Sequence, residues 1–393
     1  MSLTMQAPKI GNVELFQQRV VGQPFNRTEL QQRIGRLPQL IKGIFKVENV
    51  FIRLIDEEGC WIRTGVDETV VEERTGKNLC DFTIVREGTL SVSDLDSDPR
   101  VRDGSLQNDV AELKSYVGHS LESGLGSRMG VLCAWGSSAR TFSAEELAMF
   151  EEITFWVERE IASILELDRA SEVQRGLLPA DDISIPGYEI AGFCQPHLSV
   201  GGDFYDWVKT SHGVAFTIAD VMGKGIGSAI MAASVRAAIR ATSWDHGVQQ
   251  GMKIASRVLE ADLHKAGAFV TLLYAQLDLD SHVVNYIDAG HGLTLHVAKN
   301  GEITRMESAN FPIGTGLVEE WDVRSINMGH GDTLIMLSDG MLDIFDSSME
   351  RVSKLADLAL GQTCAVEIID ELKKIVRESS APDDVTALVL RRD

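Results

Sequence analysis

Aspartates recur in four short stretches of this chain: VGGDFYDW (Val200–Trp207), IADVMGKG (Ile218–Gly225), LSDGMLD (Leu337–Asp343) and PDDVT (Pro382–Thr386). Asp203 follows Gly201-Gly202. Asp220 closes the apolar run Gly213–Ala219, which has the length and composition of a strand, and it precedes a turn rich in glycine. Asp339 follows the apolar run Thr333–Leu337 and is itself followed by Gly340, and Asp383-Asp384 precedes a last apolar run. Hard cations such as Mg²⁺ and Mn²⁺ prefer carboxylate, carbonyl and water oxygens. Two of them about 3.5–4 Å apart hold a hydroxide for in-line attack on phosphorus and neutralise the developing charge. Such a site needs several carboxylates on rigid strand ends, with backbone free to approach. An aspartate at the edge of a buried strand is costly without a cation. Asp beside Gly is also common turn chemistry, so any one of these pairs alone reads as a turn. The joint pattern points to one divalent-metal site, with Asp206 and Asp343 closer to a structural role.

The elements that would position these residues must come from a chain of 393 residues, which is long enough for two or three domains. Its 44% hydrophobic and 24% charged residues suit a globular protein. The net charge of -21 argues against general binding to nucleic acid or an anionic membrane. A phosphorylated substrate would then need local positive charge, which bound cations supply. The five cysteines are scattered without CxxC spacing and read as buried thiols in a reducing compartment. No apolar run reaches a membrane span and the N-terminus lacks a signal pattern, so a cytoplasmic location is expected.

Residues 1–25 are weakly patterned, and 1–19 are set apart as an N-terminal segment. Helical spacing runs from about Arg27 to Phe45, split or kinked by Pro38. Strand-like runs follow at Asn49–Asp56, Cys60–Thr64, Thr89–Asp94, Ser115–Glu122 and Gly130–Trp135. Ser143 with Glu146 forms a capping box that opens one long helix over 144–178. This helix carries a narrow apolar seam from Phe150 to Leu165 and then a polar continuation, the pattern of a signalling helix or short coiled coil joining two protomers. Beyond Pro179 the chain turns to short strands, with helices expected at about Gly227–Trp244, Gly247–Ala266, Met349–Ala359 and Cys364–Ser379. The fold class is α+β, with a sandwich covered by helices in the second half.

The first half resembles a GAF domain over about 20–165. The residues that carry this are Asn78-Leu79-Cys80 with Ile84-Val85, then LSVSDLDSDPRV (Leu90–Val101), YVGHSL (Tyr116–Leu121), GSRMGVLCAW (Gly126–Trp135) and the helix start FSAEELAMF (Phe142–Phe150). The resemblance implies an antiparallel sheet flanked by helices, often with a small-molecule pocket. Cys80 and Cys133 read as core residues, since neither is followed by the histidine of a bilin attachment site, and His119 reads as a histidine near a strand.

The second half is similar to the metal-dependent Ser/Thr protein phosphatases of type 2C, in particular the SpoIIE/RsbU-like subgroup. LLP, PGYEIAGFCQP, VGGDFYDW, ADVMGKGIGSA, DAGHG, FPIG, LSDGMLD and PDDVT occur in order over about 175–393, and the domain is placed at 179–393. The resemblance implies a two-sheet β-sandwich flanked by helices, with two Mn²⁺ or Mg²⁺ ions at one edge. The bridging aspartate falls on Asp220, a carbonyl ligand on Val221, and further ligands on Asp203, Asp339 and Asp383, with Asp384 weaker. The implied reaction is hydrolysis of phosphoserine or phosphothreonine by metal-activated water, on a phosphorylated anti-anti-sigma factor of the STAS type, under control of the GAF domain. The subgroup's DGxxE ends here in Asp343, its Asn before Ala-Gly-His is Asp288, and Met222 stands where eukaryotic relatives have histidine, so no general acid is evident. Lys224 and His197 are candidates to approach substrate, and His291 reads as structural. The rival readings are an inactive GAF-linked module that binds a partner, and a protein whose main role is to sense a small molecule.

Overall fold

The computed structural model describes residues 27–393, apart from 57, 65–68, 73–77, 103–111, 124–125, 180–182, 184, 318–319, 345–349 and 380. The segment expected at 1–19 lies outside these residues. The chain divides into two compact units, Met1–Asp168 and Arg169–Asp393. The division falls inside the continuous helix Ala144–Leu177, ten residues before the start expected for the second domain. No helix among the described residues is long and apolar enough to cross a membrane.

In the first unit, strands β1 (Asn49–Ile55), β2 (Trp61–Thr64), β3 (Thr69–Glu72), β4 (Leu90–Val92), β5 (Ser115–Glu122) and β6 (Arg128–Gly136) form one antiparallel sheet in the order β3-β2-β1-β6-β5-β4. Side chains alternate across it because a strand has a period of two. Val50, Ile52 and Leu54 pack towards the helices Arg27–Ile34, Leu37–Phe45 and the start of Ala144–Leu177. Phe45 meets Phe150 edge to face at 5.4 Å. Ile55, Trp61 and Cys133 lie on the other face, under the short helix Leu79–Ile84. The expected break near Pro38 occurs just before it, with Pro38 in the first turn of the second helix, where its missing N–H has no helical partner to lose. The capping box is present: Ser143 N–H donates to Glu146 Oε2 at 2.8 Å and Glu146 N–H to Ser143 Oγ at 3.2 Å.

The second unit is an antiparallel sandwich. Strands β7 (Tyr188–Gln195), β8 (Phe204–Lys209), β9 (Gly213–Val221), β10 (Val270–Asp278), β11 (Val283–Ala289), β12 (Thr294–Val297), β13 (Ile303–Arg305), β14 (Arg324–Asn327), β15 (Thr333–Leu337) and β16 (Val385–Arg392) build two sheets, ordered β14-β11-β10-β9-β8 and β13-β12-β15-β16-β7. Val214, Phe216 and Ile218 of β9 meet Leu334, Met336 and Leu388 between the sheets. Ala215, Ala219 and Val221 face the other way, into a core with the helices Ile226–Thr242 and Val248–Ala266. The helices Glu350–Gly361 and Ala365–Glu378 cover the outer face of the second sheet. Four layers result, as expected for a sandwich covered by helices. Strand β8 was not anticipated: Asp206 at its centre masks an otherwise apolar run.

Candidate functional site

The alternation that builds the sandwich also aims its acidic residues. Asp220 lies two positions beyond Ile218 and so continues the inter-sheet side of β9 at its end. Asp203 precedes β8 in the same phase as Tyr205 and Trp207. Ser338 follows β15, and Thr386 lies near the start of β16. These two residues lock their strands together, since Ser338 N–H donates to Thr386 O and Thr386 N–H to Ser338 Oγ, both at 2.9 Å. The four meet at one end of the sandwich.

Asp203 is only 2% exposed, and its Oδ2 has no hydrogen-bond partner among the described residues. Burial, then the charge of Asp220, pushes its carboxyl well above the usual range. Asp220 itself is pushed up to about 7, first by burial and then by Asp339, Asp383 and Asp384, against a weaker pull from Lys224. Asp339 opens the helix Asp339–Ile344 and is also raised, by burial and then by Asp383. These shifts have the signature of carboxylates crowded without enough positive charge.

The remaining acids are engaged. Asp383 Oδ2 pairs with Lys224 Nζ at 2.8 Å, and Lys224 also donates to Pro382 O at 2.9 Å. Asp384 Oδ1 accepts the His197 N–H at 2.8 Å and its Oδ2 the Gly202 N–H at 2.7 Å. Asp384 therefore ties the loop before β8 to the start of β16. A Cβ on Gly201 would lie 2.3 Å from Asp384 Oδ2, and one on Gly202 would lie 2.5 Å from the Val221 carbonyl oxygen. Both positions require glycine for this close approach.

Other candidates fall elsewhere. Asp206 sits on the helix side of β8, held by Arg240 Nη1 at 2.6 Å and Arg236 Nη2 at 3.4 Å. Asp343 is exposed and adds to the repulsion on Asp339. His291 is buried, and burial lowers its pKa. Asp288 Oδ1 holds the amides of His291 and Gly292 at 2.8 and 3.0 Å. His197 Nδ1 lies 3.0 Å from Ala381 O. Sequence reasoning missed Ser338 and Thr386 although both stood inside quoted motifs. It also missed Gln174, which donates to Gly201 O at 2.6 Å and accepts from Gly201 N–H at 3.1 Å. No sequence signal marks that residue.

Among the described residues, no three His, Cys, Asp or Glu side chains already stand around one point as a metal cage. The donor set nevertheless suits a hard divalent cation. It consists of carboxylate oxygens with one carbonyl within reach, it includes an orphaned buried oxygen on Asp203, and it already draws in the Lys224 ammonium as a neutralising charge.

A two-sheet sandwich with helices on both outer faces is the fold of type 2C phosphatase domains. The SiaA-PP2C domain of Pseudomonas aeruginosa shares it with a TM-score of 0.51 at 20% identity, over 60% of this chain and 98% of that one. The family model for Stage II sporulation protein E (SpoIIE) matches residues 210–393, which include every proposed ligand except Asp203. Phosphoserine phosphatase RsbU of Bacillus subtilis (strain 168) is 27% identical over 248 residues, 60% of this chain and 72% of RsbU. Phosphoserine phosphatase RsbP of the same organism is 24% identical over 188 residues, 45% of each chain.

Proposed function

We propose that this chain is a metal-dependent protein serine/threonine phosphatase of the SpoIIE/RsbU-like kind, a hydrolase whose N-terminal unit is a GAF sensor. The observation that carries the reading is the meeting of Asp203, Asp220, Asp339 and Asp383 at one end of the sandwich, where the first three are raised by burial and like charge and the fourth is paired with Lys224. Asp203, Asp220, Asp339 and Asp383 would hold the metal together with the Val221 carbonyl. When bound, two Mn²⁺ or Mg²⁺ ions supply neutralisation of the phosphoryl charge and activation of the attacking water. Asp384 positions the loop from His197 to Gly202 through the amides of those two residues. Ser338 and Thr386 fix the strand ends that carry Asp339 and Asp383. Lys224, which pairs with Asp383, would compete with a cation for that carboxylate.

The substrate class is a phosphorylated protein. The names of RsbU and RsbP support phosphoserine, and the SpoIIE/RsbU-like resemblance supports a STAS-type anti-anti-sigma factor in the cytoplasm. Control by the N-terminal unit is supported by the unbroken helix Ala144–Leu177, whose Gln174 grips the Gly201 peptide from both sides. Dimerisation along this helix is supported by Met149 and Trp156, seven residues apart and 49% and 76% exposed. A cavity of about 350 Å³ beside His119, Glu151 and Phe155 supports a small-molecule ligand for the sensor.

The deciding experiment is phosphate release from an aryl phosphate and from a phosphoserine-bearing STAS protein, with and without Mn²⁺. Turnover that needs Mn²⁺ and disappears in Asp220→Asn is expected. Metal-loaded wild type that hydrolyses neither substrate would overturn the reading.

A further inference from the structure

The first unit holds a feature that phosphatase chemistry does not use. Cys80, on the helix Leu79–Ile84, and Cys133, on β6, bring their sulfurs to 3.6 Å inside the core. Their surroundings are not those of two inert apolar thiols. Arg53 Nη1 reaches Cys80 Sγ at 3.6 Å, and the Tyr116 hydroxyl points at the same sulfur from 3.8 Å. Cys133 Sγ meets Phe51 O, also at 3.6 Å. One sulfur is thus served by a guanidinium and a hydroxyl, and the other by a carbonyl. This asymmetry selects Cys80 as the thiolate and Cys133 as the thiol.

We propose that Cys80 and Cys133 form an oxidisable dithiol, a modification site that takes two electrons' worth of oxidation from a hydroperoxide and closes to a disulfide. The acidity of the pair runs the same way. The hydrogen bond with Cys133, aided by Arg53 and Tyr116 and opposed by burial, brings Cys80 down to about 7, while Cys133 is pushed well up. A thiolate is the nucleophile in thiol chemistry, and guanidinium neighbours favour it.

In the first step Cys80 S⁻ attacks one peroxide oxygen. The S–O bond forms, the O–O bond breaks, and the departing hydroxide or alkoxide takes a proton from solvent. In the second, Cys133 Sγ attacks Cys80 Sγ. The S–S bond forms, the S–O bond breaks, and the leaving hydroxide takes the Cys133 proton as water. Two thiols lose two electrons and two hydrogens, and with hydrogen peroxide the products are one disulfide and two waters. Both thiols are buried, so the small oxidant enters through local opening of the six-residue helix.

The test treats reduced, full-length protein with a small molar excess of hydrogen peroxide and maps its unreduced peptides by mass spectrometry. The expected product is a linked pair of peptides containing Cys80 and Cys133, lighter by two hydrogens and reopened by dithiothreitol. With Cys133→Ala, dimedone should label Cys80. With Cys80→Ala, labelling of Cys133 should be slower by roughly tenfold or more. The wild-type map needs no variant to fold. If both cysteines remain free to alkylate after denaturation while Cys60 or Cys364 is oxidised, the proposal is overturned. Oxidation of Cys80 to the sulfinic acid without linkage to Cys133 overturns it equally.

Discussion

Replacing Asp220 by Asn should stabilise the metal-free protein and abolish its activity. The carboxyl is held at about 7 against an ordinary 3.8. The native state keeps this proton more tightly than the unfolded chain does. Its contribution to stability is therefore complete below about pH 4, erodes as the unfolded state ionises, and is gone once pH passes about 7. Ionising such a group costs about 4 kcal/mol at pH 8. Asp220 is partly open to solvent, which screens the repulsion, so about half of this, about 2 kcal/mol, is the expected gain from the neutral isostere. For a unit of this size, that raises Tm by about 4–8 °C. Relief of Asp203, whose carboxyl Asp220 also pushes up, acts in the same direction.

The assay is thermal unfolding in chelator from pH 4 to pH 8, paired with phosphate release in Mn²⁺. Wild type should lose stability across that interval and the variant should lose less. Activity should fall by at least about 1,000-fold, equivalent to about 4 kcal/mol of transition-state stabilisation. Opposite signs for stability and activity are the mark of a residue kept for chemistry. A variant less stable than wild type in chelator at pH 8 would refute the electrostatic argument, and retained turnover would refute the role of Asp220.

Mn²⁺ at about 100 times its Kd should stabilise the wild type by about 2.7 kcal/mol, a rise of about 5–11 °C in calorimetry that Asp220→Asn lacks. Asp384→Ala strands the amides of His197 and Gly202 and should cost about 2–4 kcal/mol in urea unfolding. Gly202→Ala places a Cβ 2.5 Å from the Val221 carbonyl and should lower kcat about 100-fold by displacing the loop by about 1 Å. Lys224→Gln removes the ammonium from Asp383 and should tighten Mn²⁺ binding in isothermal titration, by up to about tenfold, the size of an outer-shell effect.

What the chain revealed in advance was local. An aspartate flanking an apolar run is visible wherever the strand is, so Asp220, Asp339 and Asp383 could be placed beside β9, β15 and β16 in advance, whereas the six-residue helix that Asp339 opens could not. What it hid was non-local. Asp206 gives β8 a polar centre, and only Arg236 and Arg240, on a helix some thirty residues later, make that acid tolerable inside a strand. The amides that occupy Asp384 lie more than 180 residues away. Strand β3 and the helix Leu79–Ile84 are too short for periodicity to register. The helix did carry a readable start, since Asn78 and Asp81 form a reciprocal cap.

The contrast among buried aspartates argues most directly for where function lies. Asp206 has two arginines and the Trp207 amide. Asp288 has the amides of His291 and Gly292. Asp332 has the amides of Lys299 and Gly329 and the imidazole of His296. Each of these acids is buried with donors to match, as a folded interior requires. Asp203 keeps an orphaned oxygen, and Asp220 and Asp339 are crowded by like charge. Against these three satisfied acids, a buried orphaned oxygen on Asp203 beside two carboxylates raised by burial and like charge is a local breach of the folding rules. Such a breach persists where a function requires it, and a hard divalent cation, which takes several carboxylate oxygens at once, would compensate it.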